Sequence, residues 1–348
     1  MVDMNYGTFS PDELMPMIPD IFVAGAFLQL IAFPGVYEFD TAEVYFDRVL
    51  VDRRKAPFVA PLALGSVQQP RGYRKENIVP ASLKPKNQIS GSEVLARMAG
   101  ERIGGGMSAA ERAAAIREMY LLQHMTRINR TREWMAAQLL LTGSVTITGT
   151  DYPASVVNFI RTGSLTKTLA GALRWGQAGI SPYDNLDAWM NEVGETSGGA
   201  VNIVIMDRLA WQFYAADAKV QKALDRTLGQ GNTALTLGLT PTVPGAPIYK
   251  GRDGNVEFYV YNDIHDAEDF SGTTKLIPDN TVILLSQGAY QGAKLCGVVQ
   301  HAQNGWGKGE YFPHNWVEES TGAEFVETIT APILVPARVD ASAAITVN

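Results

Sequence analysis

The chain has 348 residues, 46% of them hydrophobic and 19% charged, and a formal net charge of −7. This length suits one elaborated domain or two medium ones, and the composition is that of an ordinary globular protein. The negative charge argues against nucleic-acid binding by the whole surface, because phosphate contacts need clustered lysine and arginine. With Cys296 as its only cysteine, the chain cannot form an internal disulfide.

Residues 1–34 are predicted to form an arm with little regular structure, since four prolines interrupt an apolar segment. The stretch from Ile21 to Phe33 is too short to span a bilayer, and acidic residues without lysine or arginine precede it, unlike a secretion signal. We therefore expect it to pack on protein. Apolar residues then alternate between Thr41 and Val51, which predicts a strand.

Residues 57–95 are predicted to form a long loop or hairpin that projects from the body. Glycines and prolines interrupt any helix, and the segment has too few apolar residues for a core of its own. Long ordered loops usually serve a function or contact a partner. Five cations make the loop basic, and they suit contact with nucleic acid or with another protein equally well: Arg71, Arg74, Lys75, Lys84 and Lys86.

The strongest helix signal follows. Ser108 and Glu111 have the spacing of a capping box, residues from Ala109 to Thr142 include no glycine or proline, and Gly143 suits the position after the last turn. A helix of this length is about 50 Å long and would act as a strut. A loose apolar stripe marks one face, and arginines decorate the rest: Arg112, Arg117, Arg127, Arg130 and Arg132.

The second half of the chain is predicted to mix helices and strands. Residues 145–148 and 156–160 suit paired strands, and Tyr183–Val193 suits a helix. The apolar run Val201–Met206 predicts a buried strand, after which Asp207 can cap a helix that continues to about Leu224. Residues 227–254 suit loops. Further strands are predicted at Val256–Tyr261, Thr281–Ser286, Leu295–Gln300 and Glu324–Val335.

No catalytic, cofactor-binding or metal-binding residue is predicted, and the chain is not expected to be an enzyme. Ser164 and Lys167 have the Ser-x-x-Lys spacing of serine β-lactamases, but the other motifs of that class are absent. Residues 104–106 are three glycines before the long helix without the lysine of a phosphate loop, which favours a hinge. Cys296 is expected to be buried and inert. The remaining candidates lack metal-ligand spacing: His124, His265 with Asp263, Asp266 and Asp269, His301 and His314.

Four motifs occur in order along the chain. They are Leu83-Lys84-Pro85-Lys86 with Gln88-Ile89; Val201–Asp207 with Trp211; Ile277–Leu284; and Tyr311–Val317 followed by Ala331–Leu334. In this order they resemble segments of the major capsid proteins of lambda-like tailed phages, the phage major capsid protein E family. The first is similar to the Lys-Pro-Lys segment that closes the family's extended loop, and the second to the central strand and helix of its axial domain.

The resemblance implies an α+β protein with the HK97-like capsid fold. Its parts here would be an N-terminal arm (1–34), a peripheral-domain strand (35–56), an extended loop (57–95), the spine helix with the peripheral domain (96–165), an axial domain (166–309) and a C-terminal return to the peripheral domain (310–348). The strand Glu324–Val335 should then pair beside the strands that flank the spine helix, with Trp316 as a packing anchor at the crossing.

The resemblance also implies a function and partners. The chain would be a major capsid protein that self-assembles into hexamers and pentamers of an icosahedral shell around double-stranded DNA, found in the virion and, during assembly, in the host cytoplasm. Its partners would be other copies, a portal protein, a decoration or cement protein, and DNA through weak non-specific contact, without a membrane. Because the sequence begins directly with the arm, a separate scaffolding protein is expected.

Two alternatives stay open on the sequence alone. Encapsulin-like cellular nanocompartments share the fold and would enclose cargo instead of a genome. An α/β enzyme built on the strand Val201–Met206 would be a small oligomer with a ligand at the carboxyl end of that strand. Rings, shells or sheets formed by the expressed chain would favour a shell protein, and small discrete particles would favour the enzyme.

Overall fold

The computed structural model describes residues 26–49, 54–56, 58–61, 64, 67, 73–96, 106–149, 152–222, 234–235, 245–266 and 272–348. Residues 1–25 of the arm, Arg71, Gly104, Gly105 and Asp269 lie outside the described residues, as do the side chains of Arg74 and Lys75. The helices are α1 (Phe27–Ala32), α2 (Gly91–Leu95), α3 (Ala109–Thr142), α4 (Pro182–Ser197), α5 (Arg208–Ala215) and α6 (Gln287–Tyr290). None of the helices in these ranges is both long and apolar enough to cross a bilayer.

The strands belong to several sheets of different size. They are β1 (Gly35–Glu38), β2 (Val44–Val49), β3 (Tyr73–Ile78), β4 (Lys86–Ile89), β5 (Ser144–Gly149), β6 (Tyr152–Asn158), β7 (Thr166–Thr168), β8 (Ile203–Met206), β9 (Ala234–Leu235), β10 (Ile248–Asp253), β11 (Val256–Val260), β12 (Ile264–Asp266), β13 (Thr273–Lys275), β14 (Thr281–Leu285), β15 (Ala293–Cys296), β16 (Phe312–Val317), β17 (Glu324–Ile329), β18 (Pro332–Val335) and β19 (Ser342–Thr346).

A seven-stranded sheet in the order β7-β19-β14-β8-β11-β10-β9 organises the second half of the chain. Its central strand β8 is parallel to β11 and antiparallel to β14. Successive side chains of a strand point to opposite faces, so Ile203 and Ile205 join the core beneath α3, while Val204 and Met206 join a second core beneath α4 and α5. Burial on both faces explains the unbroken apolar run and confirms the predicted buried strand.

The helix predicted after β8, to about Leu224, is interrupted, because the chain is helical again at residues 218–222 after a break. Asp207 caps it as expected, with its carboxylate accepting from Leu209 N and Ala210 N, but α5 ends at Ala215. The break comes at Asp217, whose carboxylate instead accepts hydrogen bonds from Lys219 N, Tyr183 N and the Ser181 hydroxyl. A side chain that satisfies backbone donors in this way competes with a continuous helix.

The long helix α3 begins and ends at the predicted residues. Ser108 Oγ accepts from Glu111 N at 3.3 Å, and the Glu111 carboxylate accepts from Ser108 N at 2.6 Å, which completes the capping box. At the other end Gly143 has a φ of 72° and its N–H donates to the Leu139 carbonyl. The C-terminal half of α3 packs in the same core as one face of the seven-stranded sheet.

The C-terminal tail is divided between three sheets, which differs from the expected joint return of residues 310–348. β16 and β17 form a three-stranded sheet with β4, in the order β16-β17-β4, and this sheet packs on α3. The predicted strand Glu324–Val335 is two strands, because Thr330 bridges to Leu83 and β18 turns to pair with β15. The unpredicted strand β19 pairs with β14 and β7 in the seven-stranded sheet.

The extended loop has an ordered base. β2 and β3 form an antiparallel hairpin from Val44↔Ile78 to Val49↔Tyr73. The strand predicted between Thr41 and Val51 is therefore the first strand of that hairpin. The chain then returns to the body through the Leu83↔Thr330 bridge and β4, which pairs with β17. This return places the end of the loop, with Lys84 and Lys86, beside the tail and the long helix.

Candidate functional site: the contacts that fix the long helix

The side chains considered as catalytic candidates make structural contacts. Lys167 on β7 forms an ion pair with Glu192, and Ser164 lies in an exposed turn before it. The Cys296 thiol is buried, and burial raises its pKa to about 11. In the part of the chain that the structure describes, no three or more histidine, cysteine, aspartate or glutamate side chains are arranged to hold a metal ion. The candidate site is formed instead by the polar groups that fix α3 to the segments packed around it.

A buried arginine on α3 fixes the start of the tail, at Glu310 and Tyr311, to this helix. Arg132 is only 1% exposed, and its guanidinium donates to Glu310 Oε1 at 2.5 Å and to the Tyr311 hydroxyl. The guanidinium carbon also lies 4.7 Å from the centroid of the Tyr311 ring. A buried charge is costly unless it is paired, so the ion pair between Arg132 and Glu310 fixes where the tail packs on the helix.

A second group of contacts holds the three-stranded sheet on the first half of α3. Arg117 binds both carboxylate oxygens of Glu324, at 2.8 and 3.0 Å, a bidentate geometry that fixes orientation as well as distance. Two helical turns later, His124 lies between the Thr328 hydroxyl at 3.1 Å and Asn87 Oδ1 at 2.8 Å. Burial lowers the pKa of His124 to about 4, so the ring is neutral at pH 7.

Glu133, the neighbour of Arg132, ties α1 to the long helix. Its carboxylate oxygens accept from the backbone N–H groups of Leu28 at 2.7 Å and Gln29 at 3.1 Å, which are donors in the first turn of α1 without a partner in that helix. The Tyr261 hydroxyl lies 2.9 Å from Oε1. Burial raises the pKa of Glu133 to about 7, and these hydrogen bonds oppose the rise.

The Tyr261 hydroxyl connects Glu133 to a second carboxylate. It has one hydrogen to donate, yet its oxygen lies 2.9 Å from Glu133 and 3.1 Å from Asp263 Oδ2. A protonated Glu133 can donate to Tyr261 and release the phenol hydrogen to Asp263. An ionised Glu133 accepts a hydrogen bond from Tyr261. Asp263 then still accepts hydrogen bonds from Ile264 N at 2.8 Å and from Arg130 at 3.5 Å. The position of a single proton therefore couples the hydrogen bonds that join the arm, the long helix and the seven-stranded sheet.

This arrangement predicts a stability that falls as the pH rises through neutrality. The pKa of Glu133 is about 7 in the folded chain against 4.5 for an unperturbed glutamate, so its favourable contribution is full below about pH 4.5 and lost as the pH passes 7. The difference in unfolding free energy between wild type and Glu133→Gln, which cannot titrate, should change by up to about 3 kcal/mol between pH 5 and pH 8. Wild type is the protein that becomes less stable as the pH rises, because only its Glu133 can lose a proton. Urea unfolding at each pH measures this, and a difference that stays constant contradicts it.

An aromatic row on β16 and β17 lies beside Lys86, near the end of the extended loop. Lys86 Nζ lies 4.3 Å from the centroid of the Phe325 ring and 4.8 Å from that of Trp316. Trp316 is half-buried and stacks with the rings of His314 and Phe325. It therefore packs along the sheet face that carries Lys86, and the contact that ties the start of the tail to the long helix is made by Tyr311 instead.

Gly143 and Arg161 close the C-terminal end of the long helix. A Cβ on Gly143 would lie 2.7 Å from Arg161 Cβ and 3.2 Å from Val339 Cγ2. The Arg161 guanidinium donates to the carbonyls of Leu140, at 2.7 Å, and Leu141, which satisfies acceptors that the helix leaves open. The glycine is thus required by both its φ and its neighbours.

We expect Gly143→Ala to lower the unfolding free energy by about 2 kcal/mol. A left-handed conformation costs an L-residue roughly 1–2 kcal/mol, and displacement of Arg161 adds to that cost. Gly106→Ala is the matched control, because a Cβ there would meet nothing within 4 Å and the φ of Gly106 is not in the left-handed region. It should be neutral or slightly stabilising. Equal effects of the two substitutions, measured by thermal unfolding, would contradict this account.

Sequence reasoning misses the buried charges of α3. It groups Arg117 and Arg132 with the arginines that decorate the surface of the helix, but both are buried. A signal is present for Arg132, because it continues the apolar stripe four residues after Ile128 and three before Met135. The identity of its partner, Glu310, has no local signal, since the two residues are far apart along the chain.

Comparisons with known proteins agree over nearly the whole chain. A family model described as phage major capsid protein E matches residues 10–347. The major capsid protein of Escherichia phage N15 is 26% identical over 314 residues, 89% of this chain and 90% of that protein. That of Enterobacteria phage phi80 is 25% identical over 313 residues, 88% and 89% of the two chains. A solved structure of a prophage capsid-protein candidate from Escherichia coli CFT073 has a TM-score of 0.72 at 17% identity, covering 98% of this chain and 100% of that one. This likeness confirms the HK97-like α+β fold.

Proposed function

The chain belongs to the phage major capsid protein E family, and on that premise we propose that many copies of it assemble into the hexamers and pentamers of an icosahedral shell around double-stranded DNA. It is a phage major capsid protein and a structural component of the virion. The observation that carries the proposal is the family match over residues 10–347, which includes the loop, the long helix, the seven-stranded sheet and the sheet β16-β17-β4. A match to a phage capsid family leaves the nanocompartment as the weaker alternative.

Exposed apolar side chains on the extended loop support assembly. Phe58, Leu64 and Val67 are 104%, 96% and 94% exposed, and Leu30 on α1 is 57% exposed. Large apolar side chains that are grouped on one loop and left exposed favour an interface with another molecule. A neighbouring copy that covers the loop and the arm would remove this surface from water, with roughly 25 cal/mol gained per Å² of apolar area buried.

We assign the parts of the shell protein as follows. The seven-stranded sheet with α4 and α5 is the axial domain at the centre of each capsomer, and the long helix with the three-stranded sheet is the peripheral domain. The extended loop lies over a neighbouring subunit, with its cations toward acidic surface there. Exposed ion pairs contribute only about 0–1 kcal/mol each, but a closed shell repeats them many times.

The further partners follow from the same premise. We propose assembly in the host cytoplasm on a separate scaffolding protein, with a portal protein at one vertex and a decoration or cement protein on the expanded shell. The net charge of −7 supports weak, non-specific contact with the packaged DNA. Gly143 and the glycines at 104–106 would serve as hinges of the long helix when the shell expands.

Negative-stain imaging of the purified chain tests the proposal. Rings, shells or sheets are expected, and small discrete particles at all protein concentrations would contradict it. Replacing Phe58, Leu64 and Val67 by serine should leave the unfolding midpoint unchanged and prevent assembly, because these side chains are almost fully exposed and belong to none of the hydrophobic clusters formed by the described residues. Leu173→Ser is the matched control, since Leu173 is 60% exposed but lies outside the loop.

A further inference from the structure

A basic cleft of about 760 Å³ lies between the long helix, the end of the extended loop and β12. Its cations are Lys84 from the loop and Arg127 and Arg130, which are three residues apart on one face of α3. Trp134, Leu83 and Pro85 supply an apolar wall. Among its described lining residues, Asp266 is the single carboxylate. The cleft therefore combines positive charge with an apolar surface.

Two of the three cations have no ion-pair partner among the described residues. Lys84 and Arg127 are exposed, and neither forms a salt bridge with any residue in the described ranges. Arg130 donates to the Ile264 carbonyl and lies 3.5 Å from Asp263 at the base of the cleft. His265 Nδ1, also on the lining, is buried without a hydrogen-bond partner in the described part of the chain. Lys84 and Arg127 are therefore the groups available to an acidic ligand.

The turn between β16 and β17 presents the complementary chemistry. Val317, the last residue of β16, and the turn residues to Gly322 are exposed. They include Glu318 and Glu319, which form no ion pair with described residues. The turn is closed by its own backbone bonds, from Gly322 N to Glu318 O at 2.8 Å and from Glu318 N to Ala323 O at 2.9 Å. Two carboxylates and an exposed Val317 are thus held on a preformed turn, which we call the acidic tip.

The acidic tip cannot reach the cleft of its own chain. Leu83, in the cleft wall, bridges to Thr330, at the end of β17 far from the tip. The residues from Thr330 back to Gly322 span about 26 Å as extended strand. An acidic tip that fills a basic cleft must therefore come from another copy.

We propose that the acidic tip of one copy docks in the basic cleft of a neighbouring copy, with Glu318 and Glu319 toward Lys84 and Arg127, and Val317 toward Trp134. The two surfaces are different parts of the molecule, so the contact is head-to-tail and can continue from copy to copy around a ring or across a lattice. This inference rests on the proposed shell function and names one of its subunit contacts.

Charge reversal tests the pairing. Lys84→Glu with Arg127→Glu reverses the cleft, and Glu318→Lys with Glu319→Lys reverses the tip. Each reversal alone should raise the protein concentration needed for half-maximal assembly by at least about tenfold, because two attractive pairs become repulsive. All four changes in one chain restore opposite charges and should return assembly to within about threefold of wild type. Sedimentation measures the assembled fraction, and thermal unfolding checks that every variant is folded.

The outcomes separate this inference from the proposed function. Arg174→Glu, an exposed arginine outside the cleft, is the control and should assemble normally. Wild-type assembly that neither reversal impairs, or that the fourfold variant fails to restore, would contradict the docking and leave the shell function standing. A folded wild-type chain that never assembles would contradict the shell function itself. Raising salt from about 0.1 to 1 M should weaken wild-type assembly through the cleft contact, since the screening length falls from about 10 to 3 Å.

Discussion

Trp211→Ala should lower the unfolding free energy of the unassembled chain by about 3–5 kcal/mol. Trp211 is 2% exposed and lies in the core beneath α5, with ring centroids 5.7 Å from Tyr214 and 6.2 Å from Phe258. Truncation removes the largest side chain of that contact and leaves a cavity, because close-packed surroundings relax only in part. Urea unfolding measures the loss.

Trp306→Ala provides the matched control for this substitution. Trp306 is 62% exposed, so its truncation removes little buried area and should change the unfolding free energy by less than about 0.5 kcal/mol. Similar losses for the two tryptophans would mean that the second core is not where this part of the chain gains its stability. Assembly should fail for Trp211→Ala at temperatures where Trp306→Ala still assembles.

Glu310→Ala should cost about 3–5 kcal/mol, the amount typical of breaking a buried ion pair on one side. The Glu310 side chain is 30% exposed, whereas that of Arg132 is 2% exposed. Removing the carboxylate therefore leaves the guanidinium in the interior with only the Tyr311 and Thr330 hydroxyls as partners among the described residues. The tail should detach from the long helix first, which protease cleavage within residues 310–330 would report.

Two further variants test the cause of that loss. Glu319→Ala removes an exposed carboxylate from the acidic tip and should leave the stability within about 0.5 kcal/mol of wild type. Replacing both Arg132 and Glu310 by methionine removes the charge together with its counter-ion, so the double variant should be more stable than Glu310→Ala. A double variant less stable than Glu310→Ala would indicate that packing, and not an unpaired charge, carries the effect.

Local chemistry explains which parts of the fold can be predicted from the sequence. The long helix is predictable to the residue, because its capping box at Ser108 and Glu111 and its terminal Gly143 act over one turn of chain. The strand β8 is recognisable because a doubly buried strand needs an unbroken apolar run. Of the motifs that resemble capsid proteins, only the second includes β8, and the others include β4, β14, β16 and β18.

The tail shows where local signals end. β19 consists of Ser342, alanines, Ile345 and Thr346, a sequence whose small side chains suit many structures, and it is a strand because it pairs with β14 on one side and β7 on the other. Likewise the break between β17 and β18 follows from the bridge between Thr330 and Leu83, which lies in the first third of the chain. Strand pairing of this kind depends on residues that are distant along the chain.

The amino-acid sequence is sufficient to predict the bounds of the long helix, the buried strand, the basic character of the loop and the family of the chain. The division of the tail between sheets, the burial of particular arginines on the long helix and the link from the arm through Glu133 to Tyr261 become apparent only in the folded chain. The difference lies in the range of the interactions. Caps and periodicity act within a few residues, whereas the burial and pairing of a charge depend on which distant segments fold around it.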